Sequence, residues 1–474
     1  MSRLRLYSVS AAIMSAGLIV GAGLPAMAQA IPQPAIGAPK PVTVPATQTY
    51  ELANGIKVTL IPYAVVPRTV ISVRVPVGNN SDGDDTWLSD VTVGLMKEGA
   101  GGRSGVEVSE AFADMGGTLS ANVNNTRTSF TVAVLSEHAR EAIAILADIT
   151  QRPSLPEEAL DRVSQGLARN LTVTRSTPNG QASEAYYRTI FAGHPYANLM
   201  PSEGQLQAYT IEGVRDFYAS NYGGKGTHIY VGGQFDADEI RATVAQNFEG
   251  WASNNTLAIV PEAPRITRRV ILIDRPDAPQ STIKLAMNAP EFGGLDYIRY
   301  EVMDSLLGGA FNSRITTNIR EDKGYTYSPF SALTVIDRDT THWEFNADVT
   351  AENTGDSLRE VFNEIARLKA QAPTDDETIG TRNISTGNFV MGMATTAGVV
   401  GHVARRNERG MPIDYFDRYI PWVMSVTSDD IQKAAQSLDL AQMTLIVVGD
   451  LNSIRPQLEA LPELSGVPFE IFQP

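Results

Sequence analysis

The sequence that decides the fold reads LGGAFNSR over residues 307–314 and IREDKGYTYS over residues 319–328. Gly324 fits the glycine that often ends a helix. This placement predicts Arg320 on the last helical turn and Tyr327 on the following strand. An arginine near a helix C-terminus favours the helix dipole, and tyrosine is common in strands. Spacing alone therefore leaves a structural role open for both residues.

Four shorter motifs precede this stretch. They are Asn54-Gly55 at a first hairpin, Gly116-Gly117 before a strand pair, His194-Pro195-Tyr196 and Asn221-Tyr222. Together with residues 307–328, they resemble the pitrilysin/insulysin family of inverted-zincin metallopeptidases, which includes mitochondrial processing peptidase. The resemblance covers nearly all of the chain after its N-terminal segment. It is to the subunit type of that family that lacks the zinc motif but keeps an arginine and a tyrosine.

The zinc motif of that family is missing where the resemblance places it. The family carries H-x-x-E-H on a helix, where both histidines bind one zinc ion and the glutamate activates water. Asp90, Val93 and Gly94 occupy those positions here. The family also has a distal glutamate ligand, but no Asp, Glu or His occurs between Asp161 and Glu184. We therefore expect no metal site and no cofactor in this chain.

Other catalytic chemistries have little support. The 5 histidines include no pair at the i, i+3 or i, i+4 spacing of a helical metal site. The Gly-rich stretch 99–105 lacks the lysine and spacing of a phosphate-binding P-loop. The chain has no cysteine and no G-x-S-x-G pattern, so a covalent hydrolase mechanism is not indicated. Alone, the chain is predicted to be inactive.

The resemblance gives Arg320 and Tyr327 a catalytic role. In the family, this pair lies seven residues apart in the C-terminal domain. The pair stabilises the negative charge that develops on a peptide carbonyl at the zinc site, as fixed donors do in oxyanion sites. Arg314 also matches the family motif and is expected to be structural. Tyr325 competes locally with Tyr327 for the tyrosine position.

A long internal repeat predicts two homologous domains. Residues 210–214 lead to a strand at 227–233, and residues 427–431 lead to a strand at 444–450, each time as a capped helix followed by a strand with a glycine at its end. We expect an α+β fold with two antiparallel-rich sheets packed by helices, which the resemblance extends to half of a clamshell. The predicted N-terminal domain, 47–252, carries the degenerate metal site. A linker at 253–267 and a C-terminal domain at 268–474 with the Arg/Tyr pair follow.

The N-terminus has the features of a secretory signal peptide. Arg3 and Arg5 precede an apolar run to about Leu24, and Ala26-Met27-Ala28 matches a cleavage site. We expect residues 1–28 to be the signal peptide and 29–46 a Pro/Ala-rich leader, with an uncleaved membrane anchor as the alternative. No later stretch reaches the ~18 apolar residues that a membrane span requires. The predicted location is the periplasm.

Composition supports a globular acidic protein. The chain has 474 residues, a formal net charge of −15 and 43% hydrophobic residues, which is enough for two to four packed domains. An acidic chain is a poor binder of nucleic acid. Because cysteine is absent, stability must come from packed cores even in an exported protein.

These observations favour a non-zinc subunit of a periplasmic heterodimeric zinc metallopeptidase. The expected partner is a homologous chain with an intact H-x-x-E-H and its zinc, the expected substrate is a peptide, and Arg320 and Tyr327 complete the partner's active site. A catalytically silent binding or scaffold protein derived from a peptidase is the main alternative. An enzyme with an unrecognised site is a third.

Overall fold

Two six-stranded sheets organise the chain, one from each half. The structure is a computed structural model that describes residues 45–63, 66–253, 261–336 and 340–473. Each sheet mixes one or more parallel pairs with antiparallel pairs and is covered by helices. The predicted α+β fold with two homologous domains is confirmed.

The first half contains the strands and helices of the first sheet. Its strands are β1 (Gln48–Glu51), β2 (Lys57–Pro62), β3 (Arg68–Val75), β4 (Gly99–Ala100), β5 (Arg103–Ser104), β6 (Ser120–Val123), β7 (Thr128–Leu135) and β8 (His228–Gly233). Its helices are α1 (Leu88–Met96), α2 (Gly105–Asp114), α3 (Ala139–Gln151), α4 (Glu157–Ser176), α5 (Pro178–Ile190), α6 (Gln205–Ala208), α7 (Ile211–Asn221) and α8 (Ala237–Phe248). The sheet order is β1-β2-β8-β3-β7-β6, and β4 and β5 pair with each other in a separate two-stranded sheet.

The hairpin predicted at Asn54-Gly55 joins β1 to β2. Gly55 has φ +87°, a left-handed conformation that glycine adopts without steric cost. The Asn54 side-chain amide donates to the Phe248 and Trp251 carbonyls at 2.8 and 2.9 Å. The turn is therefore tied to the end of α8, which fixes where the first sheet begins.

The second half repeats this arrangement. Its strands are β9 (Arg269–Asp274), β10 (Gln280–Asn288), β11 (Phe330–Val335), β12 (Thr341–Thr350), β13 (Met443–Gly449) and β14 (Phe469–Ile471). Its α-helices are α9 (Leu295–Asp304), α10 (Thr354–Ala370), α11 (Asp375–Gly392), α12 (Thr396–Glu408), α13 (Tyr415–Ser425), α14 (Ser428–Gln436) and α15 (Leu451–Glu459). The π-helical segment Ser305–Gly309 continues α9, and a second π-helical segment, Thr316–Asp322, precedes β11.

Strand order shows the duplication directly. The order β2-β8-β3-β7-β6 in the first sheet corresponds to β9-β13-β10-β12-β11 in the second. In both sheets the first of these pairs is parallel and the others are antiparallel. The sheets differ at one edge, where antiparallel β1 stands in the first and parallel β14 in the second. By this correspondence α1 matches α9, α4 matches α11 and α5 matches α12.

The two halves exchange a helix. Helix α5 of the first half packs on the second sheet, where Tyr186 and Ile190 share a buried cluster with Ile446 and Val448. Helix α12 of the second half packs on the first sheet. There a Cβ on Gly232 of β8 would lie 2.3 Å from Val400 Cγ2. Each sheet is thus closed by a helix from the other half.

Several predictions fall on residues outside the described ranges. The signal peptide (1–28) and all but the end of the leader (29–46) lie there, as does the middle of the predicted linker, 254–260. Among the described residues, no helix has the length and apolar character needed to cross a membrane.

Candidate functional site

Helix α1 carries the degenerate metal positions, and its neighbour α4 closes over them. A Cβ on Gly94 would lie 2.5 Å from Val163 Cγ1 of α4, closer than two such carbon atoms approach. The space where a ligand side chain at position 94 would start is therefore filled by a β-branched residue, which has little rotamer freedom in a helix. A cavity of about 610 Å³ remains beside α1, α4 and β6.

Asp90 is held by hydrogen bonds within its own half. The Asn79 side-chain amide donates to Asp90 Oδ2 at 2.6 Å and to Ser89 Oγ at 3.0 Å. Asp82 accepts from the backbone amides of Trp87 and Ser89 at the start of α1, at 2.9 and 3.0 Å. Asp90 is therefore part of a network that anchors the helix N-terminus.

Burial dominates the ionisation of this pair. It raises the pKa of Asp82 to about 7, partly offset by the hydrogen bonds from Ser89. It raises the pKa of Asp90 to about 6, partly offset by the hydrogen bond from Asn79. A carboxyl that tends toward its protonated form is a poor ligand for a divalent cation, because the cation competes with the proton.

The residues around α1 do not fit a zinc ion. Val93 and Gly94 offer no donor, and α4 contributes Arg162 and Arg169 to the cavity rather than a carboxylate. Over the parts of the chain that the structure describes, no group of three or more His, Cys, Asp and Glu side chains is placed to hold a metal ion. The sequence had identified these positions as degenerate. It did not show that Val163 occupies the space next to Gly94.

Arg320 and Tyr327 lie side by side. The Arg320 guanidinium carbon is 4.9 Å from the Tyr327 ring centroid and 4.4 Å from the Phe311 ring centroid. Its Nε also pairs with Glu321 Oε1 at 3.1 Å. Both rings are strongly exposed, at 79% for Tyr327 and 73% for Phe311. The guanidinium is thus held between two aromatic faces at the surface, an arrangement that favours a cation.

The backbone explains how the pair is positioned. Arg320 lies in the last turn of the π-helical segment, which ends where Gly324 adopts φ +66°. The prediction that Tyr327 lies on a strand is wrong. Only Thr326 forms a bridge, to Val349, and β11 begins at Phe330. Tyr327 therefore lies in the connecting bend, where its ring is free to turn back over Arg320.

Arg314 and Tyr325, the other arginine and tyrosine of the motif, have other contacts. Arg314 forms a two-pronged ion pair with Glu377, with Nε–Oε1 at 2.8 Å and Nη2–Oε2 at 3.0 Å. This pairing, chiefly through the Arg314 hydrogen bonds, lowers the pKa of Glu377 to about 2. Tyr325 packs against the hydrophobic core of the second half, and Lys323 Nζ lies 6.0 Å from its ring centroid. Arg314 is thus paired with a carboxylate of α11, and Tyr327 is the tyrosine beside Arg320.

Sequence reasoning missed Phe311 as a member of this site. The residue stands inside the quoted LGGAFNSR stretch, and a large aromatic side chain after two glycines and an alanine was the available signal. Nothing in the sequence indicated that its ring would lie next to the Arg320 guanidinium. We call Phe311, Arg320 and Tyr327 the arginine–aromatic cluster.

The fold, the metal position and the arginine–aromatic cluster define a class of protein before any comparison is made. A duplicated α+β chain with a packed-over metal position in one half and an exposed arginine–aromatic cluster in the other is a peptidase-like chain. Residues 65–201 match the family model described as insulinase (peptidase family M16), and residues 208–384 match the model described as peptidase M16 inactive domain. Together these matches span more than half of the sequence. The chain belongs to the insulinase-like M16 peptidase family, and the family predicted from its motifs is confirmed.

Relatives and solved structures agree with this assignment. An uncharacterised zinc protease of Rickettsia felis is 21% identical over 408 residues, covering 84% of this chain and 96% of the relative. One from Streptomyces coelicolor is 24% identical over 369 residues, covering 75% and 79%. The crystal structure of a peptidase M16 inactive domain from Pseudomonas fluorescens superposes with a TM-score of 0.77 at 21% identity, covering 85% and 98%. A Helicobacter pylori protease superposes with a TM-score of 0.79 at 16% identity, covering 86% and 100%.

Proposed function

We propose that this chain is the non-zinc subunit of a periplasmic heterodimeric zinc metallopeptidase. Its partner is a homologous chain that carries H-x-x-E-H, and its substrates are peptides or unfolded segments. In the assembled pair, Arg320 and Tyr327 bind the substrate at the partner's zinc site and stabilise the transition state. The chain supplies these donors and does not cleave peptides alone.

One observation carries the proposal, namely that the two halves have diverged selectively. The metal position is closed by Val163 against Gly94, whereas Arg320 and Tyr327 remain together at the surface. Exposed aromatic rings cost free energy when they face water without a partner. A cluster that keeps two such rings around a cation fits a surface that meets a substrate or another chain.

The chemistry of the pair suits an oxyanion. Attack on a peptide carbonyl places negative charge on its oxygen, and donors already aimed at that position stabilise the charge. A guanidinium supplies several N–H donors in a fixed plane, and a phenol supplies one O–H donor. Because Phe311 and Tyr327 flank the Arg320 side chain, its planar group is restricted before substrate arrives. Such restriction lowers the entropic cost of binding.

A scaffold role remains the second candidate. The contact between Arg320 Nε and Glu321 at 3.1 Å shows that the guanidinium already has a local partner. In a scaffold, the cluster would be inherited structure, and its residues would tolerate substitution without loss of function. The two proposals differ in what Arg320 does once a zinc-bearing partner is present.

The deciding experiment is peptide cleavage by the co-purified pair. The wild-type chain and the Arg320→Ala and Tyr327→Phe variants are each expressed with a homologous chain bearing H-x-x-E-H, and assembly is measured by size-exclusion chromatography. Both variants should assemble, and Arg320→Ala should lower kcat by about 10²–10³-fold, as loss of one oxyanion donor does elsewhere. Tyr327→Phe keeps the ring over Arg320 and removes only the hydroxyl, so it tests the phenol as a donor.

Two matched controls separate catalysis from stability. Tyr325→Phe removes the neighbouring hydroxyl in the same bend and should leave cleavage unchanged. Arg455→Ala removes an exposed arginine of α15 that pairs with Glu459 at 2.9 Å. If Arg320→Ala cleaves as fast as these controls, the catalytic proposal fails and the scaffold is favoured. Absence of any zinc-bearing homologue among proteins that co-purify from the periplasm would count against the heterodimer.

A further inference from the structure

The second half contains a cavity in the position that corresponds to the vacated metal pocket of the first. The first pocket is bordered by α1, β6 and α4, and the second by α9, β11 and α11, which match them in the duplication. Helices α12 and α13 complete its wall, and its volume is about 460 Å³. That volume lies within the range of small-molecule pockets and accommodates a group the size of one amino-acid derivative. We call it the second-domain cavity.

One face of α12 makes the second-domain cavity cationic. Arg405, Arg406 and Arg409 line it at helical spacing together with His402. Burial lowers the pKa of His402 to about 4, so the charge comes from the three arginines. Arg406 is only 5% exposed and donates to the Asn407 side chain and to the Ile413 carbonyl. Arg409 lies over the Phe292 ring at 4.3 Å and donates to the Val335 carbonyl at 3.1 Å. Both guanidiniums are thus fixed by neutral groups rather than by carboxylates.

Arg405 has the least compensation of the three. Among the described residues, none accepts a hydrogen bond from the Arg405 side chain and none forms an ion pair with it. The nearby carboxylate of Glu408 instead pairs with Arg74 at 3.0 Å and with Arg127 at 3.6 Å. Partial desolvation of the guanidinium and the neighbouring Arg74 lower the pKa of Arg405, although the charge of Glu408 acts in the opposite direction. A guanidinium at a cavity wall with no ion pair of its own is an available partner for an anion.

The second-domain cavity also contains two carboxyls, which are hydrogen-bonded to groups other than the arginines. Glu301 accepts from the Tyr419 hydroxyl at 2.8 Å, and burial raises its pKa to about 7. Asp304 accepts from the Trp343 indole at 2.6 Å and from the Ser331 hydroxyl, and burial raises its pKa to about 6. Both are committed to neighbouring O–H and N–H donors, and neither forms an ion pair with the arginines among the described residues.

Aromatic rings supply the rest of the lining. Phe292, Phe389, Tyr415 and Phe416 contact one another edge-on or tilted around the cavity. Rings in these orientations leave apolar surface for a ligand group to cover. The lining therefore joins a cationic side to an apolar side, and a ligand must match both.

We propose that the second-domain cavity binds a carboxylate attached to an apolar or aromatic group, with Arg405 as the principal charge partner and the rings as the contact for the apolar group. A planar carboxylate suits a guanidinium, which can donate to both oxygens. Such a group occurs in two sources, the free C-terminal residue of a peptide and a small organic acid. Binding is a property of this chain alone and does not depend on a zinc-bearing partner, so it stands or falls separately from the proposed subunit role.

The first experiment is isothermal titration of the whole chain with N-acetyl-L-phenylalanine and with its C-terminal amide. The two probes differ only in charge. We expect saturable binding of the acid with a Kd on the order of 1 mM or tighter, and at least tenfold weaker binding of the amide. No saturable binding of the acid, or equal binding of both probes, would overturn the proposal.

A pair of variants locates the site. Arg405→Gln removes the unpaired charge at an exposed position, so the fold should persist, and binding should weaken by about tenfold or more. Arg455→Gln removes one positive charge on α15 and should leave the Kd unchanged. If both variants weaken binding equally, the effect is one of net charge, and the assignment to the cavity is wrong.

Peptide probes then distinguish the sources. A pentapeptide ending in phenylalanine should bind as the acid and lose binding when amidated if the cavity receives a peptide C-terminus. If N-acetyl-L-phenylalanine binds and the free-acid pentapeptide does not, the ligand is a small organic acid. Binding of neither probe contradicts the proposal whatever the result of the peptidase assay.

Discussion

The two corresponding pockets of the duplicated fold have diverged in different ways. In the first half, α4 closes on α1 until a Cβ at Gly94 would meet Val163 at 2.5 Å. In the second half, the matching elements leave a cavity of about 460 Å³ lined by arginines and aromatic rings. The comparison teaches that loss of a metal site does not require loss of a pocket. The first copy keeps a cavity of about 610 Å³ but closes its metal position, and the second keeps a cavity lined by arginines and aromatic rings.

Beside the corresponding helices α1 and α9, each half nevertheless carries a pair of buried carboxyls. Burial raises the pKa of Asp82 and Glu301 to about 7 and that of Asp90 and Asp304 to about 6. In the first half, the pair accepts from Asn79, Ser89 and the start of α1. In the second, it accepts from tyrosine, serine and tryptophan side chains. The surroundings differ, yet burial dominates in both halves.

The largest effect is expected where the halves exchange helices. Tyr186 of α5 is fully buried against the second sheet, so Tyr186→Ala should lower the free energy of unfolding by about 3–5 kcal/mol. Because α5 belongs to the first half by sequence, the loss should destabilise both halves together. Urea unfolding followed by tryptophan fluorescence and by circular dichroism measures this.

The reciprocal variant is Val403→Ala on α12, which removes fewer buried atoms and should cost less. Coincident transitions from both probes in both variants would support coupling of the halves through the exchanged helices. If Tyr186→Ala instead splits unfolding into two separate steps, the halves are independent folding units and the exchange does not couple them.

The second effect concerns the pH dependence of stability. Asp304 has a folded pKa of about 6 against an ordinary value of 3.8 because it is buried. The folded state therefore holds a proton that the unfolded chain releases, and stability is lost as pH rises from about 4 to about 6. Asp304→Asn removes this titration while its amide oxygen still accepts from Trp343. Above pH 6, the variant should regain at most about 3 kcal/mol relative to the wild type.

Asp90→Asn is the matched variant in the first half, since the pKa of Asp90 is also raised to about 6. Urea midpoints at pH 4.5, 6 and 8 measure both variants. Similar flattening in the two halves would show that burial governs both pockets, as proposed from the structure. Unchanged pH slopes in both variants would show that other groups control the acid side of the stability profile.

Much of the fold followed from local patterns in the sequence. The hairpin at Asn54-Gly55 is set by a turn residue that tolerates positive φ, and the repeated helix–strand units identified the duplication. The helix exchange did not follow, because amphipathic spacing shows that α5 has a buried face but not which sheet covers it. Strand pairing across the whole chain decides that question.

The candidate site was predictable in part. The sequence showed that the zinc-site residues of the family are replaced at positions 90, 93 and 94. It also showed the Arg320–Tyr327 spacing. The π-helical turns at 305–309 and 316–322 were not, because π and α turns place similar demands on side chains. The arginines of α12 were also missed as cavity residues, since a charged helix face ordinarily indicates solvent. The exchange packs one face of α12 on the first sheet, while its arginines line a cavity that α9 and α13 also border.

The smallest expected effect tests whether packing against Val163 closes the metal position of the first half. Gly94→His must displace Val163, and overpacking of this kind typically costs about 1–3 kcal/mol. Val163→Ala in the same chain removes the methyl that the new Cβ would meet, so the double variant should recover part of the loss. Thermal unfolding of the four chains in this cycle gives the coupling energy between the two positions.

The same positions answer whether the metal site was lost by three substitutions or by a change in packing. A chain with Asp90→His, Val93→Glu and Gly94→His restores the helical motif, but no Asp, Glu or His between Asp161 and Glu184 is available as the distal ligand. We expect elemental analysis after dialysis to find well below one zinc ion per chain, with or without Val163→Ala. Stoichiometric zinc in the variant that carries Val163→Ala, and only there, would mean that Val163 alone prevents metal binding at this position. In that case the contrast between the halves would rest on one side chain rather than on the whole face of α4.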